Sequence, residues 1–444
     1  MRRPNKKRLM DIHELVKNPR YLDMGKNILI ALLIVSAALL AVKSGLFSLA
    51  GGKTEPGQTM QQGQQQTGIA GGAGLRAAGP YVIAITDASG SRCGLMYDGA
   101  ELTQAYESFS AYLGEAMGSA GEPEEISQKA WQSALTGTGV YFDFGYSLPV
   151  NLLASTLGAS VSGGAGNHMA SRFCLAVEKD DSVSIYYYRD KDSKYYKCST
   201  AVNSSAMETK LKSWSPNGAA FLFESGSGRD YDLVDDCFLV VPGQAQIHAV
   251  TAVNPLGMGY DVSTLMDIFG MNSYLVQNYS DADNTQVYVE GDNTLRVGAD
   301  GIVTFKSSDE TAETGGGGDL SGALSKAMAA VSGTIGAVSG IASADICAVG
   351  YNESAGAFTV RFSYEIGGLP VSLGDESAAE FSISGGRIVA ARLNFREYAY
   401  SGDDDAPMPS LQAMAVVQAK GGGMPVLGYV DYGGSVSAGW MIIK

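Results

Sequence analysis

The sequence predicts an α+β protein, with a single N-terminal transmembrane helix followed by a multidomain ectodomain of mostly antiparallel sheets with flanking helices. Three observations carry this. Residues 28–42 read ILIALLIVSAALLAV and hold no charge. Beyond residue 80, short runs rich in Val, Ile, Tyr, Phe and Thr are separated by Gly-, Asn- and Asp-rich turns, the pattern of antiparallel strands. Residues 320–444 run helix, four strands, helix, two strands, which is an α+β order and not an alternating βα one.

The N-terminal element follows from bilayer thickness. A membrane core of about 30 Å needs roughly 20 apolar helical residues. Residues 28–42 are short of that, but extension through residue 50 suffices, with Lys43 reaching toward the headgroups. Residues 27–50 are therefore the expected span. The preceding tail, residues 1–26, carries Arg2, Arg3, Lys6, Lys7, Arg8, Lys17, Arg20 and Lys26 against Asp11, Glu14 and Asp23. A basic flank stays in the cytoplasm, which leaves the bulk of the chain extracytoplasmic at the cell membrane. A signal peptide cut after Ser48-Leu49-Ala50 is the alternative, but its basic region is ordinarily shorter than this tail.

The 444-residue chain has net charge −15; the tail contributes +5, so the rest stands at −20. Such a field repels nucleic acid. Five cysteines, Cys93, Cys174, Cys198, Cys237 and Cys347, lack metal-ligand spacing. Their odd number precludes complete internal pairing. A Cys174–Cys198 bridge between neighbouring strands stays open; free, half-buried thiols are the favoured reading.

After the span, residues 51–79 are rich in Gly, Gln and Thr and read as a flexible linker. Residues 80–225 form the first extracytoplasmic α+β domain: a strand at 81–86, helices at 101–117 and 125–135, a strand at 140–146, three strands between 172 and 200, and a short helix at 205–213. Residues 229–306 form a central β-rich domain, with a helix at 261–269 opened by Asp261 and three short strands joined by hairpin turns. Residues 307–319, with four consecutive glycines, are a second linker. The final α+β domain spans 320–444.

A search for chemistry finds no catalytic constellation and calls for no cofactor. His168 and His248 lie in separate segments, and no His-Glu-x-x-His run is present, which argues against a zinc hydrolase; alanine replacement of His168 and Glu365 would test for any hydrolase. No Gly-x-Ser-x-Gly elbow, Ser-x-x-Lys pair or phosphate-binding loop occurs. Asp281-Ala-Asp283-Asn-Thr285 opens like a calcium loop, but Gln286 stands where glycine is required and Asp292 where a closing Glu belongs, so it reads as a polar turn. Asp403-Asp-Asp405 reads as a solvated loop, Glu124-Glu125 as a helix start and Asp180-Asp181 as a turn. Tyr186-Tyr187-Tyr188 and Tyr195-Tyr196 read as cross-strand packing in a hairpin, with a ligand groove as the alternative.

The C-terminal sequence Phe362-Ser-Tyr-Glu-Ile-Gly-Gly-Leu-Pro-Val-Ser372, the strand Glu380-Phe-Ser-Ile-Ser with its Gly385-Gly386 turn, the helix opening at Pro409-Ser410, and the closing Leu427-Gly-Tyr429 and Ala438-Gly-Trp440 resemble the end of the YycH/YycI regulators of the WalK/YycG sensor kinase. Tyr141-Phe-Asp-Phe-Gly-Tyr-Ser-Leu-Pro149 and residues 267–305 are similar to steps in YycH, and length and order fit YycH better than YycI. The resemblance implies a PepSY-like C-terminal domain, no enzymatic activity, and an accessory regulator whose partners are a sensor histidine kinase and a second single-pass regulator. Ala31, Ser36, Ala37, Ala38 and Ala41 would supply a small-residue helix face for close packing in the membrane. A membrane-anchored cell-wall or ligand-binding module without catalytic activity is the alternative function.

Overall fold

Along β1 (Val82–Thr86) every residue is buried, and successive side chains enter different cores: Ile83 and Ile85 join one, Val82 and Ala84 another. That period of two explains why the run reads as continuously apolar: the sheet it belongs to is covered on both faces. The computed structural model describes residues 77–443 except 97–98, 162, 225–230, 244, 246, 309–319 and 354. The expected span at 27–50 and the linker after it, up to residue 76, lie outside the described residues. Among those described, no helix is long and apolar enough to cross a membrane.

The first sheet orders as β2-β1-β4-β5-β6-β7-β3. Its strands are β1, β2 (Arg92–Leu95), β3 (Glu124–Ile126), β4 (Gly139–Pro149), β5 (Met169–Val177), β6 (Val183–Arg189) and β7 (Lys194–Ser199). All of its pairings are antiparallel. On one face lie α1 (Gly99–Gly118), α3 (Val150–Thr156) and α4 (Ser204–Leu211), which bury Phe109, Leu113, Leu153 and Met207 against Phe142, Phe173 and Ile185. On the other face lies α2 (Gln128–Thr136), started by Ser127, whose hydroxyl accepts from the Ala130 amide. Glu124 and Glu125 precede that helix as the short strand β3, where Glu125 faces Tyr196 in register and its carboxylate meets Lys194 Nζ at 2.6 Å. The expected helix therefore begins three residues later.

The second sheet runs β11-β12-β13-β14-β19-β18-β16-β17-β21-β22, with β15 on the far side of β16. The strands are β11 (Gln277–Ser280), β12 (Gln286–Glu290), β13 (Asn293–Val297), β14 (Ile302–Ser307), β15 (Ser343–Asn352), β16 (Ala357–Ile366), β17 (Leu369–Ser372), β18 (Ala379–Ser384), β19 (Arg387–Asn394), β21 (Met424–Asp431) and β22 (Val436–Ile443). The helices α5 (Val262–Ile268), α6 (Leu320–Gly333) and α7 (Ile335–Val338) accompany it. Leu320, Ala323, Leu324, Ala327 and Val331 recur at helical spacing on α6 and are buried with Val360, Phe381 and Leu393. Through the pairing of β14 with β19, the strands between 277 and 307 and those of the C-terminal region join in a continuous sheet.

Two ribbons complete the architecture. Strands β8 (Ala220–Phe221) and β9 (Leu239–Val240) pair with each other, as do β10 (Ile247–Val253) and β20 (Glu397–Asp405). Asp403, Asp404 and Asp405 are thus the end of a strand and not a loop: Ile247 and His248 face Asp405 and Asp404 in register. The carboxylate of Asp405 also accepts from the Ala438 amide at 3.2 Å.

Candidate functional site

Two rows of side chains cross the first sheet back to back. In register, Phe142, Phe173, Tyr187 and Tyr196 form the row on the α1 face. Tyr187 and Tyr196 stack with centroids 5.4 Å apart. The opposite row is Asp143, Arg172, Tyr188 and Tyr195, extended by Trp131 of α2, which stacks on Tyr195 at 5.6 Å. The tyrosine clusters of the sequence are therefore cross-strand packing, as their spacing predicts.

The polar row is the seam between the two halves of the chain. Strand β4 breaks register after Asp143, where Gly145 takes φ +64°, a conformation that suits glycine. The Gly145 amide then donates back to the Asp143 carboxylate at 2.9 Å, and the Tyr141 hydroxyl donates to it at 3.1 Å. Arg172 Nε lies 3.3 Å from Asp143, and its Nη2 lies 2.8 Å from Asp235. Burial raises the Asp143 carboxyl above its ordinary value, an effect that Arg172 and the Gly145 amide oppose. Asp235 belongs to the segment that carries β9, and its amide donates to Gly423 O just before β21 at 3.1 Å. One guanidinium thus ties the first sheet to the segment that reaches the C-terminal hairpin.

Around this seam an apolar core draws on all three regions. Trp131, Tyr141 and Tyr186 come from the first sheet and α2; Phe221, Phe238 and Leu239 from the β8–β9 segment; Met414 and Val417 from α8 (Ser410–Ala419); Met424 and Val426 from β21. Trp131 Nε1 donates to Cys237 Sγ at 3.3 Å. Asp235, Asp236 and Cys237 bring ligand-type atoms within 4.8 Å of one another. These atoms are engaged otherwise: Arg172 holds Asp235, and Gln128 and Gln132 donate to Asp236 at 2.8 and 2.7 Å. Burial raises the Cys237 thiol far above its usual range, so the thiolate a metal requires is disfavoured.

His168 stands beside the aromatic row. Its Nε2 is 2.9 Å from Arg189 Nη1, and its Nδ1 is 2.6 Å from the Tyr187 hydroxyl. The guanidinium can only donate, so Nε2 accepts and the ring is neutral with its proton on Nδ1. Arg189 is ion-paired with Asp192 and lies 4.8 Å over the Tyr196 ring. Half-burial, then Arg189, lowers the His168 pKa. His248 sits elsewhere, exposed on β10 and 2.9 Å from Asp404, and Glu365 is buried on β16. The structure does not bring these three together.

The five cysteines are free. Cys174 and Cys198 cannot bridge, because β6 lies between their strands and they point into opposite cores. Asp281–Thr285 is a polar turn, with Asn284 at φ +65° and Asp281 ion-paired to Arg296. The small-residue face at Ala31, Ser36, Ala37, Ala38 and Ala41 lies outside the described residues. Sequence reading missed Arg172, Asp143 and Asp235. A lone charge inside each of two apolar strands was the available signal, but nothing in the sequence pairs them.

The fold and seam define a class: an α+β scaffold of two large sheets that share a core, with Arg172 tying the first sheet to the segment that carries β9. Among solved structures, the chain is similar to YycH from Bacillus subtilis, with a TM-score of 0.54 and 12% identity, over 83% of this chain and 96% of that one. The fold is therefore YycH-like, in agreement with the resemblance read from the sequence. No family model matches the chain, and no curated protein matches it significantly.

Proposed function

We propose that the chain is a membrane-anchored, extracytoplasmic accessory regulator of a sensor histidine kinase that controls cell-envelope homeostasis. The observation that carries this is the fold likeness to YycH across nearly the whole of that chain. In this reading residues 27–50 cross the membrane once and the C-terminal region is a PepSY-like module. Ala31, Ser36, Ala37, Ala38 and Ala41 pack against kinase helices, and a second single-pass regulator joins the assembly. A regulator biases a kinase only by binding its signalling states unequally. A single-pass helix can pack laterally against kinase helices, while the two-sheet body supplies protein–protein surface outside the membrane. The wall-binding alternative would use the tyrosine hairpins as a binding surface, whereas Tyr187 and Tyr196 are 1% and 8% exposed and committed to packing.

The test is crosslinking and affinity recovery of the full-length chain from detergent-solubilised membranes, beside a version whose residues 27–50 are replaced by an unrelated span. Kinase recovered with the native helix and lost with the swap supports the whole reading. Kinase recovered with both moves the contact to the ectodomain. Wall material without kinase in either case overturns it.

A further inference from the structure

Among the described residues, each free end of the two large sheets is either covered or charged, with one exception. Asn217 caps β2 by accepting from the Gly94 amide at 3.0 Å and donating to its carbonyl at 2.8 Å. The far end, β3, is three residues long and carries Glu124 and Glu125. Beyond β15, Ala78 donates to Ile346 O at 3.1 Å. On β22 the Ala438 amide is held by Asp405, and Trp440 Nε1 donates to Met408 O at 2.7 Å. These are the usual protections of an edge against strand addition.

Strand β11 ends the second sheet with β12 as its neighbour and, among the described residues, has neither protection. Its four residues, Gln277–Ser280, are exposed and uncharged. Just before it, Tyr274 and Leu275 are 96% and 68% exposed, and Tyr279 within it is 53% exposed. This stretch is held in place. The Asn272 amide donates to Glu290 at 2.9 Å, its side chain accepts from the Tyr274 amide at 3.1 Å, and its carbonyl accepts from Leu275 at 2.9 Å. The turn thus presents two large apolar side chains in line with an open row of backbone donors and acceptors.

The geometry points to β11 as a docking edge for an extended, cationic segment of a partner protein, which adds antiparallel or parallel to the sheet as a further strand. Main-chain hydrogen bonds would supply affinity and alternate side chains specificity. Charge decides the occupant. Residues 271–308 carry Asp281, Asp283, Glu290, Asp292 and Asp300 against Arg296 and Lys306. Two copies meeting at this edge would repel, as would an anionic membrane surface, whereas a Lys- or Arg-bearing strand is attracted. The inference does not depend on the partner being a kinase.

The test uses the full-length chain in detergent with a ten-residue peptide alternating lysine and valine, and the same peptide N-methylated at every residue so that neither edge can donate. Hydrogen exchange is read over residues 272–281. The expected result is at least tenfold slower exchange there with the first peptide and none with the second. Leu275→Lys and Tyr279→Lys together should weaken binding at least tenfold with unchanged circular dichroism, since both side chains are exposed. Equal protection by both peptides would overturn strand addition in favour of nonspecific adsorption. Absence of protection with the first peptide, dimerisation through β11 that excludes the peptide, or binding to phosphatidylglycerol vesicles that Leu275→Lys abolishes would each overturn the proposal.

Discussion

Arg172 reaches Asp235 at 2.8 Å, and in doing so connects β5 of the first sheet to a segment hydrogen-bonded beside the C-terminal hairpin. Asp143 completes the arrangement as the buried partner on β4. The pair is costly to desolvate, yet breaking it from one side leaves an uncompensated buried charge.

Arg172→Met should therefore destabilise the chain by about 3–5 kcal/mol, measured by urea unfolding. Arg172→Met combined with Asp143→Asn should recover some of that loss, because the buried Asp143 carboxylate is then gone and only the part-exposed Asp235 loses its partner. A double-mutant cycle showing additive effects would mean that the two residues are not coupled.

Stability should depend on pH through His168. Its pKa lies below the ordinary 6.5 in the folded chain, so the unfolded chain binds the proton more readily. Stability contributed by the neutral ring is present above about 6.5 and is lost as pH falls through the folded value. Protonation would also set a proton on Nε2 against Arg189. The difference in Tm between the native chain and His168→Gln should shrink as pH drops from about 7.5 to about 5, the range that brackets the imidazole titration. A difference constant with pH would exclude His168 as the titrating group.

The core that unites the three regions should make unfolding cooperative. Met414 on α8 is fully buried in the same core as Trp131 of α2. Met414→Ala should cost about 2–5 kcal/mol and shift tryptophan fluorescence and far-ultraviolet circular dichroism by the same amount. Separate transitions would show that the C-terminal hairpin opens independently.

Gly340→Ala should be severe for a residue outside any helix or strand. Gly340 has φ +66°, and a Cβ there would meet Tyr398 O at 2.1 Å. The left-handed backbone alone costs about 1–2 kcal/mol for a side-chain-bearing residue, and the clash adds to it. Thermal unfolding of Gly340→Ala beside Gly386→Ala, where φ is +74° but the space is open, separates the two contributions.

Local pattern made much of this protein legible. The alternation of apolar strands and Gly/Asp turns is read within a few residues, as is the helical spacing at 101–117 and on α6, because each is fixed by neighbours in sequence. The tyrosine hairpin was legible for the same reason, since β6 and β7 are consecutive and their register follows from a short turn. Two charged stretches were misread because charge alone does not choose between loop, helix and strand. Glu124-Glu125 became β3 through pairing with β7, and Asp403–Asp405 became the end of β20 through pairing with β10, both partners distant in sequence.

By itself, then, the sequence determined the α+β class, the order of most elements, the polar turns and the likeness to YycH. Tertiary structure alone decided that β14 pairs with β19, that Cys174 and Cys198 face opposite cores, and that Arg172, Asp143 and Asp235 converge. The physical reason is common to all three. Each depends on which face of a strand points where and on segments tens of residues apart meeting in space. Hydrophobic burial drives that meeting without direction or sequence signature, so no local spacing encodes it.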